Sequence, residues 1–196
     1  PKRIIVPELK FTEYLSKIKA LFAKLKIGNP LEADTDVAPL SSEKAAQDVI
    51  KQVDKAISQG AKLEFGGGRP DREGAFVNPT VLTGITPDID AYHEEIFGPV
   101  LVLYSYKTIK EAIDLANATT FGLGGTVFGT DIEKAKAVAR KIDTGMVYIN
   151  HVTGIAPELP FGGTKNSGYG REQSPAGIYE VVNAKLIRVT TPDNLY

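Results

Sequence analysis

The sequence predicts an α/β protein whose mostly parallel sheet is flanked by helices. From residue 100 onward, apolar and amphipathic stretches alternate in the order strand, helix, strand, helix, strand. Parallel strands need crossover connections, which are usually helical, and this order supplies two of them. At 42% hydrophobic and 24% charged, the 196 residues have the composition of an ordinary globular protein and can bury one sizeable core.

The first hundred residues supply the remaining elements. The predicted order is a helix over 8–26, a helix over 45–59, a strand over 61–65 and an extended segment over 76–82. Gly28-Asn29-Pro30 ends the first helix, and Ser41-Ser42-Glu43-Lys44 begins the second. Gly60 is a plausible C-terminal cap of that second helix. Glycines at 66–68 and 74 predict a turn-rich connection.

The alternating second half ends in a segment with no obvious partner. Its predicted elements are strands over 100–106, 125–128 and 145–150, helices over 109–118 and 132–142, a short helix near 176–182, and a strand over 184–190. No hairpin partner adjoins the last strand. An unpaired strand edge favours addition to another sheet, so the segment is a candidate for pairing with another domain or subunit.

Composition excludes several classes of function. The 23 Lys and Arg residues balance 24 Asp and Glu residues, so no basic field indicates nucleic acid or anionic lipid as a partner. No apolar run is long enough to span a membrane, and residues 1–6 are too short for a signal peptide, which predicts a cytoplasmic protein. The absence of cysteine excludes disulfides, thiolate zinc sites and thiol catalysis within these residues. A start at Pro1 without Met suggests that upstream sequence is missing.

Neither the histidines nor the glycines predict a metal or phosphate site. His93 and His151 are the only histidines, and their spacing matches no metal motif. His151 could orient a substrate or be polar surface. The glycines between Gly162 and Gly170 do not fit a phosphate-binding loop, and taken alone they favour a structural turn.

Two adjacent carboxylates, Glu94 and Glu95, precede the strand predicted over 100–106. Ligand-binding groups often lie where a loop meets a strand in α/β folds. Adjacent side chains in an extended segment point to opposite faces, so the two are not expected to act as a pair. Alternatively, Glu94 and Glu95 bind no ligand and are solvated surface charges.

Two segments resemble hallmark stretches of the aldehyde dehydrogenase superfamily: residues 93–99 (HEEIFGP) and 160–172 (PFGGTKNSGYGRE). Residues 116–124, 145–150, 179 and 184–187 follow the family in order and spacing, so the resemblance covers essentially the whole chain. It implies the C-terminal part of the catalytic domain, beginning just after the catalytic cysteine. The implied division is a partial catalytic domain (1–170), a return segment (171–183) and an oligomerisation tail (184–196).

The resemblance also assigns candidate residues. Glu95 matches the glutamate that holds the nicotinamide-ribose hydroxyls, and Phe97 matches the aromatic packed near that end of the cofactor. Phe161 matches an aromatic of the aldehyde tunnel. The loop at 151–159, with His151, Thr153 and Ile155, matches the one that contacts the far end of the substrate. The resemblance implies that the catalytic cysteine, the general base and the oxyanion-holding asparagine lie upstream, so no catalytic or metal-binding residue is expected within these 196 residues.

The implied activity is NAD- or NADP-dependent oxidation of a small-molecule aldehyde to the acid. In this family a cysteine forms a thiohemiacetal, a hydride passes to the cofactor, and water hydrolyses the thioester. The cofactor would be held mainly by the missing N-terminal half. Residues 149–151, 156–160 and 165–172 look most like bacterial succinate-semialdehyde dehydrogenases. A homo-oligomer, dimer or tetramer, is expected for the full-length protein, and the isolated fragment is expected to be inactive.

Two other functions remain open on the sequence. The chain could be a truncated, non-catalytic paralogue that oligomerises or binds without reacting. It could also be an unrelated α/β module whose glycine-rich loop meets a small ligand.

Overall fold

The computed structural model describes residues 2–191 and separates into two compact units, Pro1–Thr120 and Phe121–Tyr196. Each unit has its own strands and helices. Across the described residues, no helix is both long enough and apolar enough to cross a membrane.

The first unit is built on a four-stranded sheet. Its elements within residues 2–120 are β1 (Arg3–Pro7), α1 (Phe11–Phe22), α2 (Glu43–Ser58), β2 (Lys62–Phe65), β3 (Thr80–Thr83), β4 (Val100–Tyr106) and α3 (Ile109–Asn117). Single turns of 3-10 helix, Glu8–Lys10 and Asp90–Tyr92, precede α1 and follow β3.

Strand β4 organises this sheet, whose order is β1-β4-β3-β2. It runs parallel to β1, with Val102 opposite Arg3, and parallel to β3, with Val100 opposite Thr80. Strand β2 closes one edge in the antiparallel sense. The sheet is therefore mostly parallel, as predicted.

Side-chain alternation along β4 gives the sheet two apolar faces. Val100, Val102 and Tyr104 belong to one core cluster, and Leu101 and Leu103 belong to another, because successive strand residues point to opposite sides. Helix α2 covers the first face with Ala46, Val49, Val53 and Ala56. Helix α1 covers the second with Phe11, Leu15, Ile18 and Phe22. Helices flank both faces, which confirms the predicted fold class.

The helix limits follow local capping chemistry. Ser42 caps α2 by accepting a hydrogen bond from the Ala45 amide at 3.1 Å, and Gly60 has the left-handed φ of +111° that a residue just past a helix end favours. Helix α3 begins with a capping box formed by Thr108 and Glu111. Helix α1 is shorter than the predicted 8–26, because its first turn is 3-10 and its last residue is Phe22.

The second unit pairs short strands. Its elements within residues 121–191 are β5 (Phe121–Gly122), β6 (Gly124–Val127), α4 (Ile132–Ala139), β7 (Met146–Ile149), β8 (Thr164–Lys165) and α5 (Ser174–Tyr179). Strands β6 and β7 are parallel and α4 connects them, while β5 and β8 are antiparallel. The crossover predicted between residues 125 and 150 is present.

The alternating strands do not all join one sheet. In the first unit β4 pairs with β1 and β3, and in the second unit β6 pairs with β7. This separation was not predicted, because periodicity identifies strands but not their neighbours.

The strand predicted over 184–190 does not form within this single chain, and its pairing with another domain or subunit stays a prediction. Residues 184–191 form no strand, and Leu186, Ile187 and Val189 are 88%, 74% and 91% exposed. A strand forms only where a neighbouring strand pairs its backbone amides and carbonyls. The rest of the predicted tail, residues 192–196, lies outside the described residues.

Candidate functional site

The candidate cofactor site is the loop at residues 94–98, hereafter the 94–98 loop, which leads into β4. Burial alternates along it: Glu95 is exposed, Ile96 is 5% exposed, and Phe97 is 76% exposed. Ile96 belongs to the same core cluster as α2. This buried residue anchors the loop, while a carboxylate and an aromatic ring on either side of it remain accessible.

Helix α2 supports the loop closely. A Cβ built on Gly98 would lie 2.9 Å from Val49 Cγ2, so only glycine allows this approach without movement. The Gln52 side-chain amide donates to Glu94 Oε2 at 3.0 Å and reaches the Glu95 carbonyl at 3.5 Å. Gln52 therefore contacts the two glutamates differently, through the side-chain carboxylate of Glu94 and the backbone carbonyl of Glu95.

Lys2, at the start of β1, supports the loop from another side. Its Nζ donates to the Ile96 carbonyl at 2.8 Å and to the Gly98 carbonyl at 3.4 Å. The same ammonium lies 4.9 Å from the centre of the Phe97 ring, within the range of a cation–π contact. Partial burial lowers the pKa of Lys2, and the nearby charge of Glu95 opposes that shift.

The exposed groups of the loop fit the ribose end of a nicotinamide dinucleotide. A carboxylate can accept hydrogen bonds from two adjacent ribose hydroxyls, and an aromatic ring can pack against the neighbouring ring system. Glu95 and Phe97 offer this pair from one short segment whose backbone is held on two sides.

A small cavity behind the loop is lined by Lys2, Arg3, Glu94, Ile96 and Tyr104, among others. The Arg3 guanidinium lies 5.0 Å and 5.7 Å from the Tyr92 and Tyr104 ring centres, and it donates to the Tyr92 and Leu115 carbonyls. Burial raises the pKa of Tyr104 to about 12. The guanidinium thus ties β1 to the C-terminal end of α3 and to the segment before the loop.

The candidate substrate loop lies in the second unit and follows β7. His151, Thr153 and Ile155 are all exposed, Ile155 by 69%. Thr153 Oγ1 donates to the Gly125 carbonyl at 3.3 Å, and Tyr148 Oη donates to the Gly154 carbonyl at 2.9 Å. The His151 ring lies 5.9 Å from the Tyr148 ring, centre to centre. The end of β7 therefore holds this loop while its apolar side chains stay accessible.

Phe161 occupies a different setting in the same unit. Its backbone pairs with that of Glu172, at 2.9 Å and 2.7 Å, and its side chain is partly buried. It lines an open groove together with Leu123, Tyr169, Arg171 and Glu180. His151, Thr153 and Ile155 do not line this groove. The structure therefore groups those three residues on one loop and places Phe161 on the glycine-rich segment.

The glycine-rich segment has a structural explanation. A Cβ on Gly162 would lie 2.5 Å from the Gly170 carbonyl oxygen, and one on Gly163 would lie 2.6 Å from Ser167 Cβ. Ser167 Oγ also accepts a hydrogen bond from the Gly122 amide at 3.0 Å. These glycines let the backbone fold back on itself, which agrees with the predicted structural turn.

Lys2, Gln52 and Arg3 were not predicted as parts of the site. Each contact that matters joins residues more than 40 positions apart, and no local pattern signals such contacts. Within residues 2–191, no cluster of three Asp, Glu or His side chains could hold a metal ion.

Comparisons with known proteins give one consistent family for this chain. The profile of the aldehyde dehydrogenase family matches residues 1–187. The succinate-semialdehyde dehydrogenase [NADP(+)] of Deinococcus radiodurans is 51% identical over 95% of this chain, and the enzyme of that name numbered 1 from Mycobacterium tuberculosis is 45% identical over 95%. This chain spans 39% and 41% of those two relatives.

Solved structures give the same result. The succinic semialdehyde dehydrogenase of Streptococcus pyogenes, in complex with NADP+, superposes with a TM-score of 0.94 at 45% identity, covering 97% of this chain and 42% of that one. Betaine aldehyde dehydrogenase of Staphylococcus aureus, in complex with NAD+, gives a TM-score of 0.87 at 37% identity, covering 91% and 36%. On its sequence and its structure, the chain belongs to the aldehyde dehydrogenase family.

Proposed function

We propose that this chain is part of an NAD(P)-dependent aldehyde dehydrogenase that oxidises succinate semialdehyde to the acid. The observation that carries the proposal is the 94–98 loop, which presents the Glu95 carboxylate and the Phe97 ring on either side of a buried Ile96. The substrate rests on the relatives, which at 45–51% identity are named for succinate semialdehyde and NADP+.

The chain supplies binding groups rather than the reacting ones. Glu95 would accept hydrogen bonds from the nicotinamide-ribose hydroxyls, and Phe97 would pack against that end of the cofactor. The cofactor, when bound, supplies the hydride acceptor. None of the 196 residues is a cysteine, so covalent catalysis by a thiol requires residues outside this chain. The isolated chain is accordingly proposed to be inactive.

Substrate contacts are proposed for His151, Thr153, Ile155 and Phe161. The exposed apolar surface of Ile155 and the hydroxyl of Thr153 suit the far end of a short aldehyde that carries one polar group. Phe161 would contribute an apolar wall. The backbone pairing of Phe161 and the Thr153 hydrogen bond hold these groups in place without the substrate.

Assembly is proposed for residues 184–196. Leu186, Ile187 and Val189 form a β-prone sequence that is almost fully exposed, and exposing such a run to water is unfavourable. Addition of this segment to a sheet of a second subunit would bury it and pair its backbone. A homo-oligomer, dimer or tetramer, follows from that proposal. We also propose a cytoplasmic location, which fractionation of cells would test.

The direct test is an assay of the full-length protein that contains this chain. Reduction of NADP+ and NAD+ is followed at 340 nm with succinate semialdehyde, acetaldehyde and betaine aldehyde in parallel. A kcat/KM at least about tenfold higher for succinate semialdehyde supports the proposal. Turnover by the purified 196-residue chain, or a full-length protein that oxidises none of the three, would overturn it.

A further inference from the structure

We propose that Lys2 is a positioning residue for the cofactor: its ammonium fixes the backbone of the 94–98 loop and so sets where Glu95 and Phe97 are presented. The inference rests on the proposed function, because these two side chains matter as a pair only if they contact the dinucleotide. It concerns Lys2 alone, which lies 94 and 96 residues from its two carbonyl partners.

The loop needs an external support because its own backbone pairing is minimal. Between Glu95 and Val100 the backbone makes two short turn bonds, from the Gly98 amide to the Ile96 carbonyl at 3.0 Å and from the Val100 amide to the Gly98 carbonyl at 2.8 Å. Its bond to a neighbouring strand lies just past the loop, from the Thr80 amide of β3 to the Pro99 carbonyl at 2.9 Å. The Ile96 and Gly98 carbonyl oxygens each have a second lone pair. The Lys2 ammonium occupies the same two oxygens and links them to β1.

The position of the ammonium makes these bonds strong. Hydrogen bonds from an ionised donor are roughly twice as strong as neutral ones, and partial burial reduces the screening by water. Burial lowers the pKa of Lys2, and the charge of Glu95 opposes that shift. The ammonium that holds the loop backbone therefore also interacts electrostatically with the Glu95 carboxylate.

Three contacts together restrain the loop in three directions. Lys2 holds it from β1, Gln52 holds it from α2, and Ile96 holds it from the core. Phe97 lies against the same ammonium, so the ring that faces the cofactor is also oriented by Lys2. Groups restrained before binding lose less entropy when the ligand arrives, which is the physical basis of a positioning role.

The test compares Lys2→Met, Lys2→Arg and Lys24→Met in the full-length protein. Lys2→Met keeps the aliphatic stem but removes the donors, Lys2→Arg keeps charge and donors, and Lys24 is an exposed lysine just past α1 that serves as the matched control. Dissociation constants for NADPH and NADH are measured by fluorescence titration, and KM and kcat are measured for cofactor and aldehyde separately.

We expect Lys2→Met to weaken cofactor binding about five- to thirtyfold, the scale of one or two lost hydrogen bonds. The KM for the aldehyde should change less than about twofold, and Lys2→Arg should recover most of the lost affinity. In the protein without cofactor, amide hydrogen exchange at residues 95–98 should become faster in Lys2→Met while β3 and β4 keep their protection. Lys24→Met should match the wild type throughout.

A double-mutant cycle with Glu95→Gln identifies the route of the effect. If Lys2 acts by placing Glu95, the losses in cofactor affinity from Lys2→Met and Glu95→Gln should be markedly less than additive. Full additivity would show that Lys2 acts elsewhere and would overturn the inference.

The remaining outcomes separate the two proposals. A wild type that binds neither dinucleotide overturns the proposed function, and this inference with it. A wild type that binds, beside a Lys2→Met variant with unchanged affinity and unchanged exchange at 95–98, overturns the inference alone. A Lys2→Met variant that loses thermal stability and weakens cofactor and aldehyde equally, without rescue by Lys2→Arg, shows a merely structural lysine and also overturns it.

Discussion

Arg69 binds both carboxylate oxygens of Glu43, with Nη1 to Oε1 at 2.5 Å and Nη2 to Oε2 at 2.8 Å. Glu43 is the first residue of α2, and Nη2 of Arg69 also donates to the Gly74 carbonyl at 2.6 Å. The pair therefore fastens the turn-rich segment at 66–74 to the start of the helix that supports the 94–98 loop. A bidentate pair of this kind is directional as well as attractive.

The first prediction concerns acid stability. Hydrogen bonding by Arg69, with a second bond from Gln47, lowers the pKa of Glu43 from 4.5 to about 2. Because the folded-state pKa is the lower one, the stabilisation is present above pH 4.5 and is lost as the pH falls towards 2. We expect thermal midpoints of wild type and Glu43→Gln to differ most at pH 5 to 7 and to converge near pH 2 to 3. A constant difference across this range would contradict the assignment.

The second prediction concerns Gly145, which precedes β7. A Cβ there would lie 1.9 Å from the Gly162 carbonyl oxygen, so Gly145→Ala forces backbone apart within the second unit. We expect a loss of at least about 2 kcal/mol in the free energy of unfolding, measured by urea titration. Gly129→Ala is the matched control, since its added Cβ would meet Ala135 Cβ at an ordinary 3.8 Å. Equal losses in the two variants would refute this explanation.

Much of the fold was predictable because its determinants are local. Ser42 and Gly60 mark the ends of α2, and the run Val100–Tyr106 is a strand with the predicted limits. The grouping of the strands into sheets was not predicted, because it depends on residues that are distant in sequence. Strand β4 pairs with β1 and β3 in one unit and β6 pairs with β7 in the other, whereas the sequence predicted a single alternating series of strands.

The candidate site divides in the same way. Glu95 and Phe97 were identified from a short motif, and both are exposed on either side of the buried Ile96, while their roles stay predictions. The groups that hold them are Lys2, which directly precedes β1, and Gln52 of α2. No periodicity or spacing predicts the roles of Lys2 and Gln52, because lysine and glutamine side chains are usually solvated.

The third prediction concerns the Tyr104 hydroxyl, which is buried and has no hydrogen-bond partner among the described residues. Because this hydroxyl makes no hydrogen bond that the substitution could break, Tyr104→Phe should lower the free energy of unfolding by less than about 0.5 kcal/mol or should raise it. Tyr148→Phe, which breaks a 2.9 Å bond to the Gly154 carbonyl, should cost about 1 kcal/mol. A loss in Tyr104→Phe as large as that in Tyr148→Phe would reveal a partner for the Tyr104 hydroxyl outside these residues.

The fourth prediction tests Glu95 in the full-length protein. Glu95→Gln keeps the shape of the side chain but removes its charge, so it should weaken cofactor binding by about 1.5–3 kcal/mol and leave the thermal midpoint nearly unchanged. Glu94→Gln is the matched control, because the neighbouring side chain binds Gln52 and an amide oxygen can still accept that bond. If Glu95→Gln alters neither cofactor binding nor the rate of hydride transfer, Glu95 is a solvated charge.

The last prediction concerns the tail. Leu186, Ile187 and Val189 expose most of their apolar surface, and none of the three lies in a strand of the described part of the chain. If a second subunit supplies the missing partner, deletion of residues 186–196 from the full-length protein should lower the mass measured by light scattering. The thermal midpoint of the parent should depend on protein concentration, whereas that of the deletion variant should not. As a control, replacing Leu186 and Val189 by threonine keeps the β propensity but removes apolar surface, and should weaken assembly less than the deletion does. A deletion variant with the same number of subunits as its parent would show that the segment has no role in assembly.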